Sequence, residues 1–123
     1  MIKLEFKPNE GILHSFYEGD ITREDLIKYI DSTRINKDYP RKLKILTDST
    51  NANMLLSKDD LKLVVDSNLS SLEQYDFIYD AIITVNPKET AFSMWFKKMS
   101  ATNKYKFEVF STVEAARKWL IKF

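Results

Sequence analysis

Cysteine is absent from the 123 residues, histidine occurs once and glycine only twice. Without cysteine there is no disulfide, no zinc–thiolate site and no thiol nucleophile. With only Gly11 and Gly19, neither a P-loop nor a dinucleotide fingerprint can be built, because each needs several glycines at fixed spacing. The lone histidine, His14, has no metal-ligand set at the usual spacing, and no G-x-S-x-G elbow exists for which it would be the base. It reads as a structural or surface residue. A dominant charge is missing as well: 19 basic against 18 acidic side chains leave a formal net charge of +1. No overall field therefore draws nucleic acid or an acidic membrane. No apolar run is long enough to cross a bilayer, and the N-terminal MIKLEFKPNEG lacks the apolar core of a signal peptide. The expectation is a cytoplasmic, soluble chain that does not span a membrane, binds no nucleic acid, and carries no metal or cofactor.

What is present is ordinary globular material. Hydrophobic residues make up 44% and charged residues 30%, enough for one domain over residues 1–123 with one core. Ile2, Leu4 and Phe6 alternate with Lys3, Glu5 and Lys7, the period of a half-buried strand. Pro8-Asn9-Glu10-Gly11 is turn chemistry, and Ile12 to Tyr17 reads as the returning strand of a hairpin. The chain then repeats one strand–helix grammar. Thr22, Ser57, Asn86 and Ser111 are the expected N-caps, with Asp25, Asp60, Glu89 and Glu114 at the third helical position. Ile21 with Leu26, and Leu56 with Leu61, are set as hydrophobic staples. Pro87 opens the third helix, where its missing N–H costs nothing. The later strands are expected over Leu43–Asp48, Phe77–Val85 and Tyr105–Val109, with a short polar loop between Asp48 and Ser57.

Such alternation implies an α/β fold. The expected architecture is a single five-stranded mixed sheet, an N-terminal β-hairpin followed by repeated strand–helix units, β-β-α-β-α-β-α-β-α, with right-handed crossovers. Tyr79, Ala81, Ile83 and Val85 oppose Asp80 and Thr84, so the helices are expected mainly on one face. Leu46, Ile82 and Phe110 point to a second face that is partly covered or meets a partner, self-association included.

Two places invite function. The first is the expected carboxyl edge of the third strand, where Asp48, Ser49 and Ser57 form a candidate phosphorylation or partner edge, since open α/β sheets meet ligands at strand ends. Any catalysis would have to run through these carboxylate and hydroxyl groups; no catalytic set is assembled from them, and the chain is expected not to be an enzyme. Asp59-Asp60 and Glu24-Asp25 sit in first turns, where negative charge favours the helix dipole. The second place is the third helix. Phe92, Trp95, Phe96 and Met99 fall at i, i+3, i+4 and i+7, with Ala91 and Met94 widening the surface. That face packs on the sheet, or walls a candidate apolar pocket, or forms a contact surface. In the last helix Ala116, Trp119, Leu120 and Phe123 share one stripe.

The hairpin, the Gly19-to-Leu26 helix entry, the Leu43-to-Asp48 strand, the Ala81-to-Pro87 junction and the Val109-to-Leu120 segment together resemble the SpoIIAA-like group. This group shares the STAS fold of bacterial anti-sigma-factor antagonists and sulfate-transporter tails, with kinship to CRAL-TRIO lipid-binding domains. The resemblance spans essentially the whole chain. It implies a non-enzymatic regulatory or protein-interaction module or, through the CRAL-TRIO kinship, a domain for a small hydrophobic ligand or lipid near helix 87–102. It also implies a phosphorylatable serine at the helix after the third strand, which by position is Ser57. The usual Asp-Ser-Ser-Gly setting is missing, since Leu56 precedes Ser57 and no glycine follows.

Overall fold

The first two strands form as their alternation predicts. In the computed structural model, which describes residues 1–123, β1 (Ile2–Lys7) runs antiparallel to β2 (Ile12–Thr22), with Phe6 opposite Leu13. Gly11 takes φ 70° in the connecting turn, a conformation that a Cβ would penalise. Then follow α1 (Arg23–Ile35), β3 (Lys42–Leu55), α2 (Lys58–Ser71), a 3₁₀ turn at Leu72–Gln74, β4 (Phe77–Ile83), α3 (Pro87–Met99), β5 (Tyr105–Phe110) and α4 (Val113–Leu120). The sheet order is β1-β2-β3-β4-β5, and β2 to β5 are all parallel.

That order decides where the helices go. Each crossover steps to the next strand in the same direction, and right-handed crossovers made in one direction all land on one face. α1, α2 and α3 therefore form a layer on one side, burying Leu26, Ile30, Val64 and Leu61. α4 follows the last strand, has no return strand to reach, and is free of that rule. It lies on the opposite face, where Ala116 and Leu120 pack on Ile12, Leu46, Ala81 and Ile83. Both faces are thus covered, one by three helices and the other by one.

This arrangement corrects the expected facing of β4. Ala81 and Ile83 turn to α4, while Ile78, Asp80 and Ile82 face the three-helix layer. Alternation separates two sets of residues without saying which set meets which layer. Here Ile78 and Ile82 carry Asp80 into the larger core.

Helix starts follow the cap residues closely. The Thr22 amide donates to Asp25 Oδ2 at 2.9 Å, and the Asp25 amide donates to Thr22 Oγ1 at 3.3 Å. Ser57 and Asp60 repeat this reciprocal pair at 3.0 and 3.1 Å. At α3, Asn86 stands at the cap without a side-chain bond, and Glu89 is turned inward, where its carboxylate accepts from the Met54 amide at 3.3 Å. At α4 the cap is Thr112 rather than Ser111, since Thr112 Oγ1 accepts from the Ala115 amide at 3.2 Å, and Glu114 moves to the second helical position.

The largest departure is β3. Thr50 to Leu55 is strand and not loop, paired with Glu18–Thr22 of a β2 that itself runs on to the helix. The register passes from Phe16–Asp48 to Glu18–Asn51, one extra residue on β3, which is a bulge. It resets the alternation, so Ala52 and Met54 face the helix layer as Ile45 and Thr47 do.

Candidate functional site

Asp48 and Ser49 do not stand at a strand end. They sit at the bulge, seven and six residues before β3 ends at Leu55. Asp48 Oδ1 accepts from the Thr50 amide at 3.0 Å and from Thr50 Oγ1 at 2.8 Å. This occupies a backbone donor that the bulge takes out of the ladder. Ser49 is buried, and its hydroxyl donates to the Ile83 carbonyl at 2.6 Å. Ser57 is exposed at the start of α2. The three residues therefore form no common site.

His14 is buried on the α4 side of the sheet, with Nε2 2.9 Å from Glu10 Oε1. Arg117 of α4 donates to the other Glu10 oxygen at 3.0 Å. Glu10 reaches His14 across the hairpin turn, a partner that ligand spacing did not bring out. Together the hydrogen bonds from His14 and Arg117 hold the Glu10 carboxyl below its ordinary range. The arrangement ties the hairpin to α4. No three His, Asp or Glu side chains come close enough to hold a metal ion.

The apolar stripe of α3 divides. Phe92 and Phe96 turn inward, whereas Trp95 is 46% exposed under the Lys58 ammonium, 4.6 Å from its ring, and Met99 lies at the surface. The residues aimed at the sheet are Glu89, Ser93, Phe96 and Ser100, and all but Phe96 are buried. The reason lies in β5. Tyr105 and Phe107 already fill the space beneath the helix, with Phe96 edge-on to both at 6.2 and 4.9 Å. Small side chains at Ser93 and Ser100 let the helix approach, and the large ones at 94, 95 and 99 are left outside. Three of the basic residues near this helix have separate partners. Lys97 pairs with Glu108, Lys104 caps the Leu72 carbonyl at 2.7 Å, and Lys106 lies over the Phe123 ring.

Between the sheet and the three-helix layer lies a cavity of about 80 Å³. Fifteen of its 21 lining residues are hydrophobic, among them Tyr17, Ile30, Met54, Phe92, Phe96 and Phe107. That is room for several water molecules or one small organic molecule. A shallower groove of about 310 Å³ lies outside it, bordered by Lys58, Lys88, Ala91 and Trp95, and Leu61 and Phe92 line both. Asp80 projects into the cavity from β4. Its Oδ2 accepts from the Tyr105 hydroxyl at 2.6 Å, and its Oδ1 has no partner. Asn68, from α2, is only 7% exposed, and its Nδ2 is also without a partner.

A carboxyl in such surroundings resists ionisation. Burial pushes Asp80 up to about 7, against the opposing pull of the Tyr105 hydrogen bond. The tyrosines respond in turn. Burial first and the Asp80 charge second raise the Tyr17 hydroxyl, and burial also drives Tyr29 and Tyr105 well above their ordinary value. Asp80, Asn68 and the three tyrosines are functional candidates that sequence reasoning missed. One signal was available, an acidic residue inside the otherwise apolar strand Phe77–Ile83.

Among solved structures, the chain superposes on an uncharacterized protein of the DUF3478 family with a SpoIIAA-like fold, from Shewanella loihica PV-4. The TM-score is 0.63, the identity 19%, and the alignment covers 98% of this chain and 92% of that one. The chain has the SpoIIAA-like fold. No family model and no curated protein matches the chain. At 19% identity the likeness carries architecture and not activity.

Ser57, the residue named above as a candidate for phosphorylation, is the N-cap of α2. Its hydroxyl is already engaged with the Asp60 amide. The Ser57 amide, then the Ser57 hydroxyl, then the charge of Arg23 3.2 Å away hold the Asp60 carboxyl below its usual range. A phosphate on Ser57 would meet free helix N–H groups but also two carboxylates, Asp59 and Asp60. The local chemistry is that of a cap.

Proposed function

We propose that this chain is a non-enzymatic STAS-like module that takes a small, largely apolar molecule into the cavity between its sheet and its three-helix layer. One observation carries the reading. Asp80 Oδ1 and Asn68 Nδ2 are buried polar atoms without partners, and both belong to residues lining the same cavity. An unpaired buried polar group costs about 1–3 kcal/mol, and a chain that keeps two of them beside open space is arranged for something that fills it. Mostly apolar walls with a few convergent polar groups are the usual make-up of a small-molecule site. Native mass spectrometry of the purified protein, followed by solvent extraction, tests this. A small organic adduct released on denaturation supports the reading. A bare mass, together with failure of xenon to enter the cavity, overturns it.

A protein-contact reading has its own support. α3 leaves Met94, Trp95 and Met99 at the surface in one region, and clustered exposed apolar side chains mark contact surfaces. Sedimentation of the wild type and of Trp95→Ser over a range of concentrations tests its simplest form, self-association. A dimer lost in the variant favours it, and a monomer throughout removes it.

A further inference from the structure

We propose that the molecule held in this cavity is a small aliphatic amine, bound as the ammonium against Asp80. The inference rests on the ligand-binding reading and narrows it to a chemical class. The 21 lining residues include one carboxyl, Asp80, and no lysine, arginine or histidine. A carboxylate or phosphate ligand would enter without a counter-charge and beside an acidic group, so anions are rejected. A hydrocarbon would fill the space but leave Asp80 Oδ1 unpaired. An ammonium group has three donors and a positive charge. It can satisfy Asp80 Oδ1 while Tyr105 continues to donate to Oδ2. The surrounding rings, Tyr17, Tyr29, Phe96 and Tyr105, offer faces that attract a cation and edges that accept an alkyl body. Asn68 Nδ2, a donor, would pair with a hydroxyl or carbonyl oxygen elsewhere on such an amine. At about 80 Å³ the cavity is smaller than the engineered one of roughly 150 Å³ that admits benzene, which limits the ligand to a short chain.

Three probes of nearly equal size separate the possibilities: ethylamine, ethanol and acetate, titrated into the whole protein near neutral pH and followed by chemical shifts of the cavity methyl groups. The expected result is ethylamine binding at least tenfold tighter than ethanol, with no binding of acetate. Asp80→Asn should abolish the preference, leaving amine and alcohol alike. The wild-type comparison stands alone if that variant does not fold. Ethanol binding as tightly as ethylamine, or any binding of acetate, overturns the amine inference and leaves the cavity reading intact. If none of the three probes binds and xenon also fails to enter, the cavity reading falls and the inference with it.

Discussion

Asp80 occupies a place where a leucine would fill space, and the cost of that choice depends on pH. Well below its ordinary value of 3.8 the carboxyl is neutral in both the folded and unfolded chain. Between its ordinary value of 3.8 and about 7 the unfolded chain ionises first. The folded state then binds the extra proton, so stability falls as pH rises through that window and levels off above it. The whole change is on the order of 4 kcal/mol. Asp80→Asn should remove the decline. Urea unfolding of ligand-free protein at pH 4 and pH 8 should show the variant gaining on the wild type at the higher pH, and parallel profiles would contradict the account. Ser57 makes a contrasting case. Ser57→Ala should cost about 1 kcal/mol through the lost cap, while Ser57→Asp, itself a good cap, should stay near the wild type. Equal losses in both, measured by thermal unfolding, would show that the hydroxyl does something other than cap. Ser57 was legible from its neighbours because a cap acts over three residues. Asp80 was not, because its role depends on Tyr105 and Asn68, which the chain brings together only through the sheet and the helix above it.

At the scale of elements, the segment after Asp48 shows which signals local chemistry carries and which it does not. Thr50, Asn51 and Asn53 are residues that favour turns, and read alone they end a strand. Pairing with the extended β2 overrides that preference, as tertiary context commonly does for strands. Asp48 is the residue that makes the continuation possible, since it accepts from the displaced Thr50 amide. Asp48→Ala should cost about 1 kcal/mol and raise hydrogen exchange at Thr50 more than at Ile45 or Leu46. Unchanged exchange at Thr50 would mean that the bulge is held by other contacts. The helix starts were read to within one residue because Thr22, Ser57 and Pro87 act locally. Ser111 and Thr112 are both able to cap, and only the approach of α4 to the sheet selects the second. The stripe on α3 was read correctly for Phe92 and Phe96 but not for Trp95 and Met99, because the space it meets is set by the rings of β5, distant in sequence.

For the whole molecule, the strand order explains the two unequal layers. The hairpin and the alternation of strands and helices were legible because each rests on a short-range period or cap. The position of α4 was not, because no crossover constrains it. α4 has only eight residues, yet it covers the middle of a sheet face through Ala116 and Leu120, both without exposed surface. Leu120→Ala should therefore cost about 2–5 kcal/mol, read by denaturant unfolding. A smaller loss would mean that the sheet tolerates this face bare.

Position along the sheet equals position along the chain, from β1 to β5. Every strand after the first finds its neighbour already made, so the sheet can be laid down in the order of synthesis. Tyr105 arrives with the last strand. Asp80 waits for its hydrogen bond until then, and only α4, on the opposite face, comes later.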